Sequence, residues 1–449
     1  MKLLVSVAVL VALAGPCSSE AADDRDRDGL PDRWERQHAL PTGQRSGGGD
    51  PDRDGLNNRS EYRRRTNPRM RDTDRDGASD GAEVRAGSDP RSRRSAPRRC
   101  ARRASPGTLS RELAAAAPGQ TICLAAGDYG TFGGAAKRGS VTLSGAPDAR
   151  ATMRLEFDGA QNLVLEGLGI RGALLTGSTR NIVIRNSRFT APATIEGLAN
   201  ANVVFDDDTF NDIDAPKGDS TPARIHLSYS SRTPSGVTIR NSLFAGGDAD
   251  GVQSGVGVNI IGNEFRNILG RGGPNHTDAI QLLDAPGAVV RGNYIHRTET
   301  GIVAYDGLER ARIEDNVIDL TQEGAQRPWG IELYSDSQSV IRNNTLAHGT
   351  CGYDLPCGLI DLNRKPGDDP GVGTVVMDNV ATAISQQNGS SLTRRGGNLL
   401  RRGVEAGDVR GAPVFVGGAD PTSYEGFRLA KDSPGSRRAS DGGDPGIKG

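Results

Sequence analysis

The feature that most constrains the fold is a short pattern that recurs through most of the chain. In each copy a turn residue, usually Asn or Gly, precedes an apolar-x-apolar strand, and an apolar anchor follows after a polar pair. The anchors are 19 to 34 residues apart, at Ile170, Phe189, Phe210, Phe244, Phe265, Ile295, Ile318 and Leu346. A period of this length, built from short strands, indicates a solenoid in which successive coils stack.

The repeat resembles the right-handed parallel β-helix of the pectate-lyase-like superfamily, and the resemblance covers about 320 residues. It implies an all-β fold. We place the solenoid over residues 105–435 and expect a disordered tail over 436–449. A helix predicted over 108–117 is placed to cap the first coil, where a strand edge would otherwise be exposed. Aromatic residues are only 4% of the chain, which suits a narrow interior of stacked aliphatic side chains.

Asparagines occur in the turns that follow several repeated strands. Asn tolerates the left-handed conformation of a turn, and its amide can hydrogen-bond from one coil to the next. We therefore assign a structural role, rather than a catalytic one, to Asn186, Asn241, Asn263, Asn293, Asn316, Asn344 and Asn379.

Three loops near the N-terminus place oxygen-bearing side chains at positions 1, 3, 5, 9 and 12 and a Gly at position 6. This is the spacing of a calcium loop, in which alternate side chains converge on a hard cation that takes about six to eight oxygen ligands. The predicted Ca²⁺ ligands are Asp24, Asp26, Asp28, Asp32 and Glu35 in the first loop, Asp50, Asp52, Asp54, Asn58 and Glu61 in the second, and Asp72, Asp74, Asp76, Asp80 and Glu83 in the third.

These loops depart from an EF-hand, because the apolar residue stands at position 7 in two of them, as Leu30 and Leu56. They resemble bacterial thrombospondin type-3 calcium repeats, and the resemblance covers residues 23–90. The module has so little apolar content that we expect it to fold only with metal bound. The alternative is a polar linker rich in Asp and Arg.

Residues 1–22 predict a secretory signal peptide, because Lys2 precedes an apolar run that is too short to span a membrane. Attachment of lipid at Cys17 is the less favoured alternative. No later apolar run is long enough for a transmembrane helix.

Removal of the signal peptide with Cys17 leaves four cysteines. An even number in a secreted chain predicts disulfides, which we pair by proximity as Cys100–Cys123 and Cys351–Cys357.

The charge of the whole chain is nearly balanced, with 55 Lys and Arg against 56 Asp and Glu. This balance argues against a protein that coats nucleic acid. Residues 91–104 nevertheless form an Arg-rich linker. This linker is either a solvated connection or an anchor to an acidic polymer.

A second strand precedes several of the anchors, and alternation predicts which of its side chains point outward. The predicted outward row contains His226, Gln253, Gln281, Val303 and Glu332. Two positions further along, Tyr305 and Tyr334 are placed to form a platform for sugar rings. The alternative for the two tyrosines is an exposed aromatic ladder that only stabilises the sheet.

Two of these strands share the sequence Asp-small-apolar-Gln, beginning at Asp250 and Asp278. If the strands are in register, the two carboxylates lie about 5 Å apart, a separation that suits a retaining hydrolase or a shared cation. By alternation both aspartates lie on the inward side, so the alternative is a turn cap. His276 is a candidate general base, with Arg271 in the same Gly-rich loop, and the alternative is an exposed loop histidine.

The catalytic signatures of the superfamily are missing from the sequence, and a fold does not fix a function. The leading expectation is a secreted, calcium-binding protein that acts on or binds acidic polysaccharide, as a lyase or a glycoside hydrolase. The alternative is a non-catalytic surface or adhesion protein with a calcium-stiffened stalk. The expected partner is a polysaccharide or cell-surface polymer and not nucleic acid, and the expected state is a monomer.

Overall fold

The computed structural model describes residues 24–26, 28–75, 78–86, 88–92, 100–145, 149–215, 223–228, 233–270, 277–320, 329–347 and 358–448. The chain divides into two compact units, Met1–Arg99 and Cys100–Gly449. Among the described residues, no helix has the length and apolar character needed to cross a membrane. The predicted signal peptide and Cys17 lie outside the described residues.

The first unit contains three short helices, and each of them begins at position 9 of one acidic loop. The helices are Asp32–Gln37, Asn58–Arg64 and Asp80–Ala86. Its buried aliphatic side chains in the described part of the chain are Leu30, Leu40 and Leu56. Buried acidic and amide groups therefore outnumber apolar ones in this unit.

The second unit is a parallel β-helix with three faces, which we call A, B and C in the order in which the chain visits them. Every pairing between its strands is parallel in the described part of the chain. Face A contains the strands Arg102–Ala104, Thr121–Leu124, Ala136–Ser144, Gln161–Glu166, Arg180–Arg185, Val203–Asp206, Val237–Arg240, Asn259–Ile261, Val289–Arg291, Arg312–Glu314, Val340–Arg342, Thr374–Met377 and Leu392–Gly396.

Faces B and C follow one another around each coil. Face B contains the strands Arg188–Phe189, Thr209–Asn211, Leu243–Ala245, Glu264–Arg266, Tyr294–His296, Val317–Asp319, Thr345–Ala347, Val380–Ala381, Leu399–Leu400 and Val409–Arg410. Face C contains Gly127–Phe132, Ala151–Asp158, Gly169–Thr176, Ala193–Ile195, Ala223–Leu227, Asp250–Ser254, Asp278–Leu282, Thr300–Ala304, Ile331–Tyr334, Leu359–Asn363 and Ala383–Gln386. A small pair, Leu308–Glu309 with Asp336–Ser337, lies apart from the three faces.

The first coil begins earlier than the sequence predicted. Its strand Arg102–Ala104 lies within the predicted linker and pairs with Thr121–Leu124, and the helix Leu109–Ala115 follows it. The Cys100–Cys123 disulfide joins the same two segments, which confirms that predicted pairing. Cys351 and Cys357 lie outside the described residues.

The interior is filled by equivalent side chains stacked from coil to coil. Phe189, Phe210, Phe244 and Phe265 form one such column, with ring centroids 4.3, 4.7 and 4.6 Å apart. Strand registers align these rings in a single row. The interior is therefore built from rows of like side chains, as predicted, but this row is aromatic and not aliphatic.

A ladder of buried amides runs along the turn between faces A and B. The Asn293 side chain donates to the Asn316 side-chain oxygen at 2.9 Å and to the Ile260 carbonyl at 2.9 Å. The same pattern links Asn263, Asn293, Asn316, Asn344, Asn379 and Asn398. Asn186 and Asn241 instead adopt positive φ in the turns, at 49° and 53°. All seven predicted asparagines therefore occupy turns, but in two different roles.

Replacing Asn316 by alanine should destabilise the β-helix by about 1–3 kcal/mol, because it leaves buried donors and acceptors of two neighbouring coils unsatisfied. The Asn293 backbone N–H and amide both donate to Asn316, and the Asn316 amide donates to the Val290 carbonyl. Chemical denaturation measures the change. Asn259→Ala is the matched control on the surface of face A and should stay within about 0.5 kcal/mol of the parent.

The C-terminal segment differs from the predicted disordered tail, because residues 436–448 pack against the β-helix. Ile447 is buried, and its backbone N–H donates to the Thr345 hydroxyl at 3.2 Å. Both carboxylate oxygens of Asp378 accept hydrogen bonds from Ser440 at 2.6 Å. Upstream of these residues, Phe415 and Phe427 cover apolar side chains on the outer side of face B.

Candidate functional site

The strand registers of face C align the residues of the predicted outward row from coil to coil. His226 pairs with Gln253, Gln253 with Gln281, Gln281 with Val303, and Val303 with Glu332. The row continues to Asp361 and Ser385, which the sequence reading missed. Asp361 lies in Ile360-Asp361-Leu362, the same apolar-polar-apolar triplet as the other members, so extending the pattern by one coil would have found it.

Several polar side chains of this row are held by hydrogen bonds. The Gln253 amide donates to the Gln281 side-chain oxygen. Gln387 donates to both carboxylate oxygens of Asp361, at 3.0 and 2.9 Å. Glu332 and Asp361 are each only 5% exposed, although alternation points their side chains away from the solenoid interior. The row is therefore a pre-organised strip of amides and carboxylates.

Three aromatic rings cluster beside the two carboxylates. The rings of Tyr305 and Tyr334 have centroids 4.9 Å apart, and Trp329 lies 6.4 Å from Tyr305. All three side chains are half-buried. Burial, together with the hydrogen bond to Glu332, raises the pKa of the Tyr334 hydroxyl above its ordinary value.

A lysine completes this cluster. The Lys365 ammonium lies 4.5 Å from the Tyr305 ring centroid and pairs with the Asp306 carboxylate. A cation over the face of a phenol is held by the ring quadrupole. We call Tyr305, Trp329, Tyr334 and Lys365 the aromatic cluster of face C.

Asp250 and Asp278 are in register but face the interior. They are 6% and 0% exposed. The Asp250 carboxylate accepts from the Asp278 backbone N–H at 2.8 Å, and Asp278 accepts from the Thr300 hydroxyl. Burial, followed by the neighbouring Asp278, raises the pKa of Asp250 well above its ordinary value. These contacts support the capping role that the sequence reading kept open.

Arg271 and His276 lie outside the described residues. The two ends of their segment are joined by one carboxylate, because Glu299 accepts from the backbone N–H of Gly270 at 3.1 Å and of Thr277 at 3.2 Å.

The first two acidic loops have carboxylates brought together as metal ligands would be. Asp24, Asp26 and Asp28 each offer an oxygen within 4.8 Å of the others, and so do Asp50, Asp52 and Asp54. In the described part of the chain, buried oxygens of Asp26, Glu35, Asp52, Asn58 and Glu61 have no hydrogen-bond partner. These are hard oxygen donors, and the donor set fits Ca²⁺.

Burial and the crowding of carboxylates raise the pKa values of two of these groups. Burial, with the nearby carboxylates as the next cause, raises the pKa of Glu61 to about 8 and that of Asp52 to about 6. A divalent cation at the loop would offset this concentration of negative charge.

The loops are also joined to one another. The Asp28 carboxylate accepts from the backbone N–H groups of Ser46 and Gly47, both at 2.6 Å. The Asp54 carboxylate accepts from the Gly81 N–H at 2.7 Å. In the third loop Asp80 accepts from Thr73, and Asp76 lies outside the described residues. Asp32 at the same position of the first loop accepts from the Arg25 N–H at 2.9 Å.

Two family models match the chain. Residues 223–388 match a right-handed β-helix region. The second unit is a right-handed parallel β-helix. Residues 72–90, which include the third acidic loop, match a bacterial TSP3 repeat, and the first two loops share its spacing. A comparison of the sequence with curated proteins finds no match.

Several solved structures resemble the chain at low sequence identity. A mutant of a PL6 family alginate lyase is 13% identical, with a TM-score of 0.44, over 77% of this chain and 58% of the lyase. The A-module of a mannuronan C-5 epimerase from Azotobacter vinelandii is 14% identical, with a TM-score of 0.44, over 66% of this chain and 94% of the module. A pectate lyase is 13% identical, with a TM-score of 0.37, over 76% of this chain and 92% of the lyase. The chain therefore spans less than two thirds of the first of these proteins.

Proposed function

We propose that this chain is a secreted, calcium-binding β-helix protein that holds an acidic polysaccharide along face C. The observation that carries the proposal is the aromatic cluster beside an aligned row of amides and carboxylates. Tyrosine and tryptophan rings offer flat apolar faces with a polar edge, which suits the alternating apolar and hydroxyl surfaces of a sugar ring.

The polar row supplies the hydrogen bonds that such a ligand needs. Neighbouring members of the row are about 4.8 Å apart because their strands are adjacent in a parallel sheet. Gln281, 9% exposed against 1% for Gln253, offers its amide to a hydroxyl group. Lys365, which also pairs with Asp306, offers a positive charge to a carboxylate. A polysaccharide lying across the strands meets this row one coil at a time.

Secretion is supported by two features. The Cys100–Cys123 disulfide indicates an oxidising compartment, and residues 1–22 have the pattern of a cleaved signal. Calcium binding is supported by the buried, unpartnered oxygens of the first two loops among the described residues. When bound, calcium would supply charge neutralisation and link the loops, and the chain's own part is to hold the carboxylates through backbone N–H donors.

A second candidate function is hydrolysis of the polysaccharide. Glu332 and Asp361 are adjacent in register, which brings their carboxyl groups to about 5 Å, the separation typical of retaining glycosidases. In such a reaction one carboxylate attacks the anomeric carbon while the other group, as a carboxylic acid, protonates the leaving oxygen. Water, deprotonated by that second group, then releases the sugar from the first. If the protein is a lyase instead, we propose His276 as the base and Arg271, in the same Gly-rich segment, as the group that neutralises the uronate carboxylate.

The test is a panel of acidic and neutral polysaccharides incubated with the calcium-loaded full-length chain. Binding is measured by calorimetry, and turnover by reducing ends and by absorbance of unsaturated products. Tyr305→Ala with Tyr334→Ala should weaken binding about ten- to a hundredfold, because rigid aromatic anchors carry much of an interface's binding energy.

Tyr62→Ala is the matched control, since Tyr62 is 37% exposed in the other unit. It should leave binding unchanged. Reducing ends that disappear in Glu332→Gln and Asp361→Asn would support the hydrolase. Unsaturated products would support a lyase, and binding without products would support an adhesion protein. Equal affinity of the parent and the double tyrosine variant would overturn binding on face C.

A further inference from the structure

We propose that the C-terminal end of the β-helix is a separate binding surface for an anionic polysaccharide. The surface consists of four exposed arginines in the last coil, which we call the terminal arginine surface: Arg394, Arg401, Arg402 and Arg410. The inference takes only its ligand class from the proposed function, since its residues belong to the last strands of the solenoid and those of the aromatic cluster to earlier coils.

The topology of the last coil brings these arginines to one end of the solenoid. Leu400 pairs with Arg410, so Arg401 directly follows the residue that lies beside Arg410. Arg394 is on the final strand of face A. Its neighbour Arg395 donates to the Gly403 carbonyl, which joins that strand to the turn after Arg402.

The acidic residues of this coil do not neutralise the four arginines. Glu405 and Asp408 both pair with Arg395, at 2.6 and 2.8 Å, and the Arg395 side chain is only 7% exposed. Asp408 also accepts from Asn398, the last amide of the ladder, at 2.8 Å. Within the part of the chain that the structure describes, the four exposed arginines form no ion pair with any acid.

The position of Arg410 is unusual for a coil residue. Its partner Leu400 is fully buried in the interior, so Arg410 occupies an inward position at the point where the stack ends. A charge there keeps the open strand edge from pairing with another chain. Edge protection needs one charge, however, and this last part of the solenoid carries four exposed arginines.

The chemistry of the group favours a polymer with spaced carboxylates. Each guanidinium offers a planar fork of donors that matches a carboxylate in two parallel hydrogen bonds. The chain as a whole carries a net charge of −1, which disfavours a partner with the charge density of a nucleic acid. A uronate polysaccharide, with one carboxylate on each sugar, meets both conditions.

The test compares two triple variants of the calcium-loaded full-length chain, with polygalacturonate and alginate as probes at low and moderate salt. One variant is Arg401→Gln, Arg402→Gln and Arg410→Gln. The control removes the same charge from the N-terminal half of the solenoid, by Arg138→Gln, Arg180→Gln and Arg188→Gln, which are also exposed. The terminal variant should lose about tenfold in affinity at low salt, and less as salt screens the charges.

The control variant should lose less than twofold. Equal losses in the two variants would overturn the proposal, because net charge alone would then explain binding. Duplex DNA that binds as tightly as the polysaccharides would overturn it as well. If the double tyrosine variant keeps its affinity while the terminal variant loses it, the face C proposal fails and this one stands. The reverse result rejects the terminal surface alone.

Discussion

Chelation of calcium is expected to unfold residues 24–92 while the β-helix remains folded. The first unit buries very few aliphatic side chains and many carboxylates in its described part. Without a cation, those carboxylates repel one another and some of their buried oxygens have no partner. The free energy of calcium binding then contributes directly to folding. One site, at a calcium concentration a thousandfold above its Kd, adds about 4 kcal/mol to the free energy of unfolding.

Trp34 reports on this unit directly. Its ring lies 4.4 Å from the His38 ring and 5.4 Å from the Tyr62 ring, measured between centroids. In a Trp329→Phe variant Trp34 is the only tryptophan, because the chain has two. Chelation should shift its emission to that of a solvent-exposed indole and expose the unit to protease. Calcium should reverse both changes.

Glu61→Gln removes the carboxylate at position 12 of the second loop and should weaken calcium binding about tenfold or more. Asp89→Asn, an exposed acid outside the predicted ligand set, is the matched control and should bind calcium like the parent. A chelated chain that keeps native Trp34 emission and resists protease would contradict metal-dependent folding.

Asp208→Asn is expected to stabilise the β-helix by about 2–4 kcal/mol at neutral pH. Asp208 occupies a ladder position that later coils fill with asparagine. One of its oxygens accepts from the Ser187 N–H at 2.8 Å, and its other oxygen has no partner in the described part of the chain. An amide at this position can donate toward the preceding coil, as Asn263 does to the Ile239 carbonyl at 3.0 Å.

The gain should depend on pH in a defined direction. Burial raises the pKa of Asp208 well above its ordinary value. The unfolded chain therefore loses this proton at a lower pH than the folded chain, and stability falls as pH rises above about 4. Asn has no such proton, so the difference between variant and parent should be smallest near pH 4 and grow toward neutral pH.

Denaturant unfolding at several pH values measures this difference. Asp128→Asn is a suitable control, because that side chain is 57% exposed and its removal should change stability by less than about 1 kcal/mol. A difference between the Asp208→Asn variant and the parent that does not change with pH would mean that Asp208 is ionised in the folded protein.

The repeat pattern predicted the coil order and the aligned outward row because side chains alternate strictly along a strand. It also predicted the Asn ladder, because Asn recurs at the same turn position of successive coils. It could not distinguish Asn316, which faces the interior, from Asn241, which adopts positive φ. That choice depends on which backbone groups the next coil presents.

Only part of the candidate site could be predicted from the sequence. Tyr305 and Tyr334 followed from strand parity, whereas Trp329 and Lys365 come from segments without a repeat and join the cluster only through the fold. The tail also escaped prediction. Residues 436–448 are polar, and what holds them is a small number of specific contacts, such as Ser440 with Asp378 and Ile447 with Thr345.

Fluorescence of Trp329 tests binding on face C most directly. In a Trp34→Phe variant Trp329 is the only tryptophan, and it lies beside Tyr305 in the aromatic cluster. Titration of the calcium-loaded protein with polygalacturonate or alginate should give a saturable change in Trp329 emission, with the same midpoint as calorimetry. The change should vanish when Tyr305 and Tyr334 are both alanine. Binding by calorimetry with no change in Trp329 emission would contradict a polysaccharide site on face C.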